Sequence, residues 1–118
     1  PDLNEMQIEA LARVFNEQDI DGVIATNTTI DRKAIAGHRL ANETGGLSGG
    51  PVRERSNLVL QAFRTLLKEQ IPLIGVGGIL CGADAVEKMK AGAALVQVYS
   101  GLVYRGPGLV REVIETIH

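Results

Sequence analysis

Pro72-Leu73-Ile74-Gly75-Val76-Gly77-Gly78 is a short apolar run stopped by two glycines, and Leu95-Val96-Gln97-Val98-Tyr99-Ser100-Gly101 repeats the pattern one short helix later. Val23-Ile24-Ala25-Thr26 is an earlier run of the same kind. Such runs, rich in β-branched residues, read as strands buried on both faces, as in a parallel sheet. Helix-length segments lie before, between and after them. The first is capped by Asn4, with Gln7 three residues on as in a capping box. It carries Ile8, Leu11 and Phe15 on one face and stops by Asp21-Gly22. The second covers about 53–70, with Val59, Ala62, Phe63, Leu66 and Leu67 as its apolar stripe. A short helix over about 82–91 turns Val86 and Met89 inward, and Ser100-Gly101 ends the third strand. The last helix starts at Pro107, a residue favoured at the first helical position, and buries Val110, Val113, Ile114 and Ile117.

The order is therefore α-βα-βα-βα, which implies a parallel α/β sheet with right-handed crossovers. Two architectures fit: a small doubly wound domain, or part of a (β/α)8 TIM barrel. A barrel of about 250 residues spends about 31 on each βα unit. The 118 residues then make one domain portion, 1–118, covering roughly half a barrel.

Composition narrows the function. Twelve Lys and Arg against 14 Asp and Glu give a net charge of −2, without the basic excess that neutralises nucleic-acid phosphates. A hydrophobic fraction of 45% is that of a folded chain. No apolar run approaches the roughly 20 residues of a membrane helix. The start, Pro1-Asp2-Leu3-Asn4, has no secretory leader and reads as a fragment or a processed chain. The single Cys81 forms no disulfide framework and fits a reducing compartment.

Chemistry-bearing residues gather at the strand ends, where ligands bind in parallel α/β folds. Gly77-Gly78 either makes a tight turn or lets backbone N–H groups approach an anion, helped by the following helix N-terminus. With Tyr99-Ser100-Gly101 on the next strand it would form a phosphate cup, which in barrels lies after the last two strands. Thr26-Asn27-Thr28-Thr29 offers three hydroxyls and an amide on one turn. These either orient a polar heterocycle or carboxylate, or serve the local backbone. The glycine-rich connection 27–52 is long enough to be functional or disordered. Asp31 and Arg32 read as a surface pair, His38 as solvent-facing and Cys81 as a buried, inert thiol. No metal motif of standard spacing appears.

Four segments in register carry a resemblance that covers essentially the whole chain: Ile24-Ala25-Thr26-Asn27-Thr28-Thr29, Thr44-Gly45-Gly46-Leu47-Ser48-Gly49, Leu73-Ile74-Gly75-Val76-Gly77-Gly78-Ile79, and Ala91-Gly92-Ala93 with Leu95-Val96-Gln97-Val98-Tyr99-Ser100-Gly101. Together they resemble the C-terminal portion of class 2 dihydroorotate dehydrogenases. Cys81 departs from the pattern, standing where the family has a small polar residue that caps the short helix. The resemblance implies an FMN-dependent barrel that oxidises dihydroorotate to orotate in pyrimidine biosynthesis and passes the electrons to a quinone. It implies that Thr26 and Gly49 line the FMN site, and that Gly77, Gly78, Tyr99 and Ser100 hold the FMN phosphate. Asn27 and Thr28 would bind orotate. The family's serine base and flavin-facing lysine match no position here, so no catalytic residue is expected in this chain, which would be inactive alone. Location would be peripheral: the cytoplasmic side of the inner membrane in a bacterium, the mitochondrial inner membrane in a eukaryote. The family's quinone tunnel also lies outside this portion.

Two further expectations stand beside the competing readings. An open half-barrel exposes strand edges and should self-associate. Gly78→Val should block backbone approach to the phosphate. The competing readings are a stand-alone phosphate- or nucleotide-binding module, and another FMN- or phosphate-binding barrel such as dihydrouridine synthase or inosine monophosphate dehydrogenase.

Overall fold

The computed structural model describes residues 1–118. Helix α1 (Glu5–Glu17) begins at the expected capping box: Asn4 Oδ1 accepts from the Gln7 N–H, and Gln7 Oε1 accepts from the Asn4 N–H, both at 2.9 Å. Then come β1 (Val23–Ala25), α2 (Arg53–Leu66), β2 (Leu73–Val76), α3 (Gly82–Lys90), β3 (Leu95–Gln97), α4 (Ser100–Arg105) and α5 (Gly108–Ile117). The strands pair in parallel in the order β1-β2-β3, with Val23 opposite Leu73 and Ile74 opposite Leu95.

Strand order decides between the two architectures. A doubly wound sheet reverses direction at a switch point and carries helices on both faces. Here the order runs one way, and successive helices pack against one another on one face: α1 on α2, α2 on α3, α3 on α5. That is the arc of a barrel with its outer ring. The α-βα-βα-βα order stands as expected, with three strands where length arithmetic gave about half of eight. The 27–52 connection and the additional helix α4 use residues without adding strands.

The core lies between the sheet and the helical layer. Val23, Ala25 and Leu73 meet Ile8, Ala12, Val59, Leu60, Phe63 and Leu67 there, and Ala85, Leu109 and Val113 form a smaller cluster with Ile79. The strands are not buried on both faces. Ile24, Ile74 and Leu95 form a row across the inner face, and Ile24 and Leu95 are 60% and 62% exposed. A three-stranded arc has no opposite wall to cover that row.

Helical stripes differ in detail from the periodic reading. In α2 the buried set is Ser56, Val59, Leu60 and Phe63, while Leu66 is partly exposed. In α5 it is Leu109 and Val113; Val110 and Ile114 are exposed. In α3, Val86 and Met89 are only half-buried, and the residues turned fully inward are Gly82, Asp84, Ala85 and Lys88. Polar tethers hold the last helices in place. Arg105 donates to the Leu80 carbonyl at 2.8 Å, and Glu112 accepts from the Gly82 N–H at 2.9 Å.

Both outer strands present an unpaired edge beside exposed aliphatic side chains, a template for pairing with another copy. The isolated 118-residue chain is expected to elute as species larger than one chain. Light scattering after size exclusion checks this; a monodisperse monomer would contradict it.

Candidate functional site at the carboxyl ends of the strands

A cavity of about 480 Å³ opens where the three strands end. That volume lies in the range of small-molecule and cofactor sites, about 300–1,000 Å³. Thr26, Asn27, Thr28, Gly49, Gly77, Gly78, Tyr99 and Ser100 all line it, so residues up to 74 positions apart converge as expected. Ile24, Val76 and Gln97 from the inner sheet face form its floor.

Thr26 follows β1 through a cis Ala25–Thr26 peptide, and its N–H donates to the Val76 carbonyl at 3.1 Å. Its Oγ1 is buried without a hydrogen-bond partner. Buried hydroxyls are ordinarily paired, so this atom in the cavity wall is suited to meet a polar group there. Asn27 does serve the local backbone: its Oδ1 accepts from the Thr28 N–H at 2.8 Å. Its side-chain NH₂ is left as the donor toward the cavity. Thr29 does not join them. Its hydroxyl donates to Asp2, and its backbone pairs with Leu47, N to O, at 3.0 and 2.8 Å.

That Thr29–Leu47 bridge shapes the long connection. It ties the outgoing and returning arms together and so carries Ser48 and Gly49 over the cavity. Arg32 reinforces the tie by donating to the carbonyls of Thr29 and Gly45. Arg32 is therefore no partner of Asp31, whose carboxylate instead accepts from the Lys33 N–H at 2.8 Å. His38 is solvent-facing as read, its Nδ1 accepting from the Leu40 N–H at 3.2 Å. Ser48 is a cavity residue that the sequence reading passed over: its hydroxyl lies 2.8 Å from that of Ser100.

Helix α4 is the second addition. Ser100 opens it, where sequence reading placed only a strand end. Its first-turn N–H groups have no intrahelical acceptor, and no side chain caps them. Gly106, with φ 66° and its N–H on the Leu102 carbonyl, closes the helix, and that glycine was the missed signal. A short extra helix whose N-terminus faces the ends of neighbouring strands is the arrangement by which barrels bind phosphate.

At Gly78 the structure supplies a different steric reason why a side chain is not tolerated. A Cβ there would point away from the cavity, 2.6 Å from Arg53 Cα and 2.9 Å from Arg53 N. A larger residue would drive the turn into the start of α2 rather than block the anion. Behind this turn lies a polar cluster. Asp84 is 3% exposed, pairs with Arg53, and accepts from the Leu80 and Cys81 N–H groups at 2.8 and 3.2 Å. Burial pushes its pKa up, but these donors and the Arg53 guanidinium outweigh that and hold it below the ordinary value. Asp84 thus reaches back from the first turn of α3 and takes the N–H of the cap residue Cys81, whose thiol is half-buried and free, and that of Leu80 before it. Lys88 is fully buried and donates to Ser56 Oγ and to Asn57 Oδ1. Burial lowers its pKa to about 8; Glu87 and Asp84 pull it up and Arg53 pushes it down.

The family model described as dihydroorotate dehydrogenase matches residues 1–118. The chain belongs to the dihydroorotate dehydrogenase family. A dihydroorotate dehydrogenase (quinone) of Stenotrophomonas maltophilia strain R551-3 is 66% identical over 117 residues, which are 99% of this chain and 33% of that protein. The enzyme of the same name from Xylella fastidiosa strain 9a5c is 62% identical over the same coverage. The crystal structure of the Eimeria tenella dihydroorotate dehydrogenase in complex with ferulenol superposes with a TM-score of 0.92 at 38% identity, covering 99% of this chain and 31% of that one. The chain thus spans about a third of the length of the curated relatives it matches. Its parallel arc is a portion of the TIM barrel of this family.

Proposed function

We propose that residues 1–118 supply the FMN-phosphate site and part of the orotate site of a quinone-linked dihydroorotate dehydrogenase. The observation that carries this is the convergence on one cavity of an unpartnered Thr26 hydroxyl, the Gly77-Gly78 turn and the open first turn of α4. The residues present fit FMN. Backbone N–H groups of Gly77, Gly78, Tyr99 and Ser100, with the Ser48–Ser100 hydroxyl pair, suit a phosphate, because dipoles and unsatisfied donors at a helix start favour an anion. Thr26 and Gly49 border the flavin. Asn27 and Thr28, on the same rim, orient the substrate through the free amide donor and a hydroxyl.

Bound FMN would supply a two-electron oxidation, taking the hydride of dihydroorotate and returning the electrons to a quinone. The residues of this chain bind and orient; proton abstraction falls to a serine outside them, and so does contact with the quinone. No helix here is long and apolar enough to cross a membrane. The family reading, independently of that, makes contact with the quinone-bearing membrane peripheral and assigns it to segments other than these.

The test is a chimera in which this chain replaces the matching third of the Stenotrophomonas maltophilia relative. Flavin bleaching by dihydroorotate and its reoxidation by a quinone are expected. A folded, flavin-loaded chimera that does not react with dihydroorotate would point to another flavin barrel. A folded chimera that retains no flavin would contradict the reading altogether.

A further inference from the structure

The buried Lys88 belongs neither to the cavity nor to an ion pair, yet its neighbours lead to the cavity wall. Its ammonium donates to the Ser56 hydroxyl, and that hydroxyl reaches the carbonyls of Gly77 and Arg53 at 3.4 and 3.3 Å. Both side chains are fully buried. We infer that Lys88 is a positioning residue for the anion cup, acting through Ser56 on the Gly77–Gly78 peptide.

Donor and acceptor capacity fixes the direction of the relay. An ammonium has three donors and no acceptor, so Lys88 must donate to Ser56. The hydroxyl's one hydrogen then has only the carbonyls to point to. The Gly77–Gly78 peptide is trans, since the one cis bond is at Ala25–Thr26. In a trans peptide the C=O and the N–H point in opposite directions. Holding the Gly77 carbonyl toward Ser56, behind the sheet, therefore turns the Gly78 N–H to the opposite side, where the cavity lies. Glycine at 77, with φ 111°, follows this pull without strain. The charge also explains its cost: an ammonium without a carboxylate partner inside a core is unfavourable, and a methionine of the same length would pack there more cheaply.

This inference rests on the phosphate-site reading, and its test separates the two. In the chimera, Lys88→Met and Ser56→Ala are compared with the parent for binding of FMN and of riboflavin, which lacks the phosphate. Each variant is expected to weaken FMN about tenfold and to leave riboflavin within about twofold. The double variant should lose little more than either single one, as expected for residues acting in series. Equal losses for FMN and riboflavin would make Lys88 merely structural and overturn the inference. So would unchanged FMN affinity. A parent that binds riboflavin as tightly as FMN would instead remove the phosphate site itself. If Lys88→Met does not fold, Ser56→Ala, which deletes one oxygen, carries the same comparison.

Discussion

Gly78→Ala should lower the stability of the chimera by about 2–4 kcal/mol and reduce FMN binding with it. Two costs combine. At φ 75° the backbone is in the left-handed region, where a side chain costs on the order of 1 kcal/mol or more. The added Cβ would also lie within 3 Å of the Arg53 backbone, which cannot retreat because Arg53 starts α2 and holds Asp84. Gly37→Ala separates the two. Gly37 has φ 83°, but a Cβ there meets nothing within 4 Å. It should cost about 1 kcal/mol, in urea melts run beside Gly78→Ala. Equal losses at both positions would show that contact with Arg53 plays no part.

Asp84→Ala should cost about 2–3 kcal/mol at neutral pH. The carboxylate is nearly inaccessible and satisfies two backbone N–H groups as well as Arg53. The Arg53 side chain is 43% exposed, so water screens the ionic part and the backbone donors dominate. The pH dependence has a definite sign. The folded-state pKa lies below the ordinary 3.8, so the stabilisation is complete above that value and is lost as pH falls through the folded pKa. The gap between parent and Asp84→Ala should therefore narrow below about pH 4. Urea midpoints at pH 7 and pH 3 measure it. A gap that stays constant would mean that the charge of Asp84 does not contribute.

Much of the frame was legible because it is local. The apolar runs at 23–26, 72–76 and 95–99 marked the strands, and Asn4 with Gln7 marked the first helix start. The cavity residues were legible as strand-end motifs, and they do converge. What escaped depends on distant partners. The burial of Asp84 and Lys88 carried no sequence signal, because Arg53, Ser56 and Asn57, which make it tolerable, lie about 30 residues away. Asp84 three residues after Cys81 did carry a capping signature, but the cysteine masked it. Thr29 looked equivalent to Thr26 and Thr28 until the bridge to Leu47 turned it aside. The apolar runs read as buried on both faces, as in a parallel sheet, but Ile24 and Leu95 lie open because three strands supply only one wall.

The most direct measurement is an FMN titration of the folded apo-chimera, followed by flavin fluorescence, for the parent and for Ser100→Asp. The substitution places a carboxylate on the first residue of α4, beside the phosphate position. Saturation at one FMN per parent chain, with binding lost in Ser100→Asp while riboflavin still binds, is the expected result. Equal FMN affinity in both proteins would mean that the phosphate does not sit at the ends of β2 and β3.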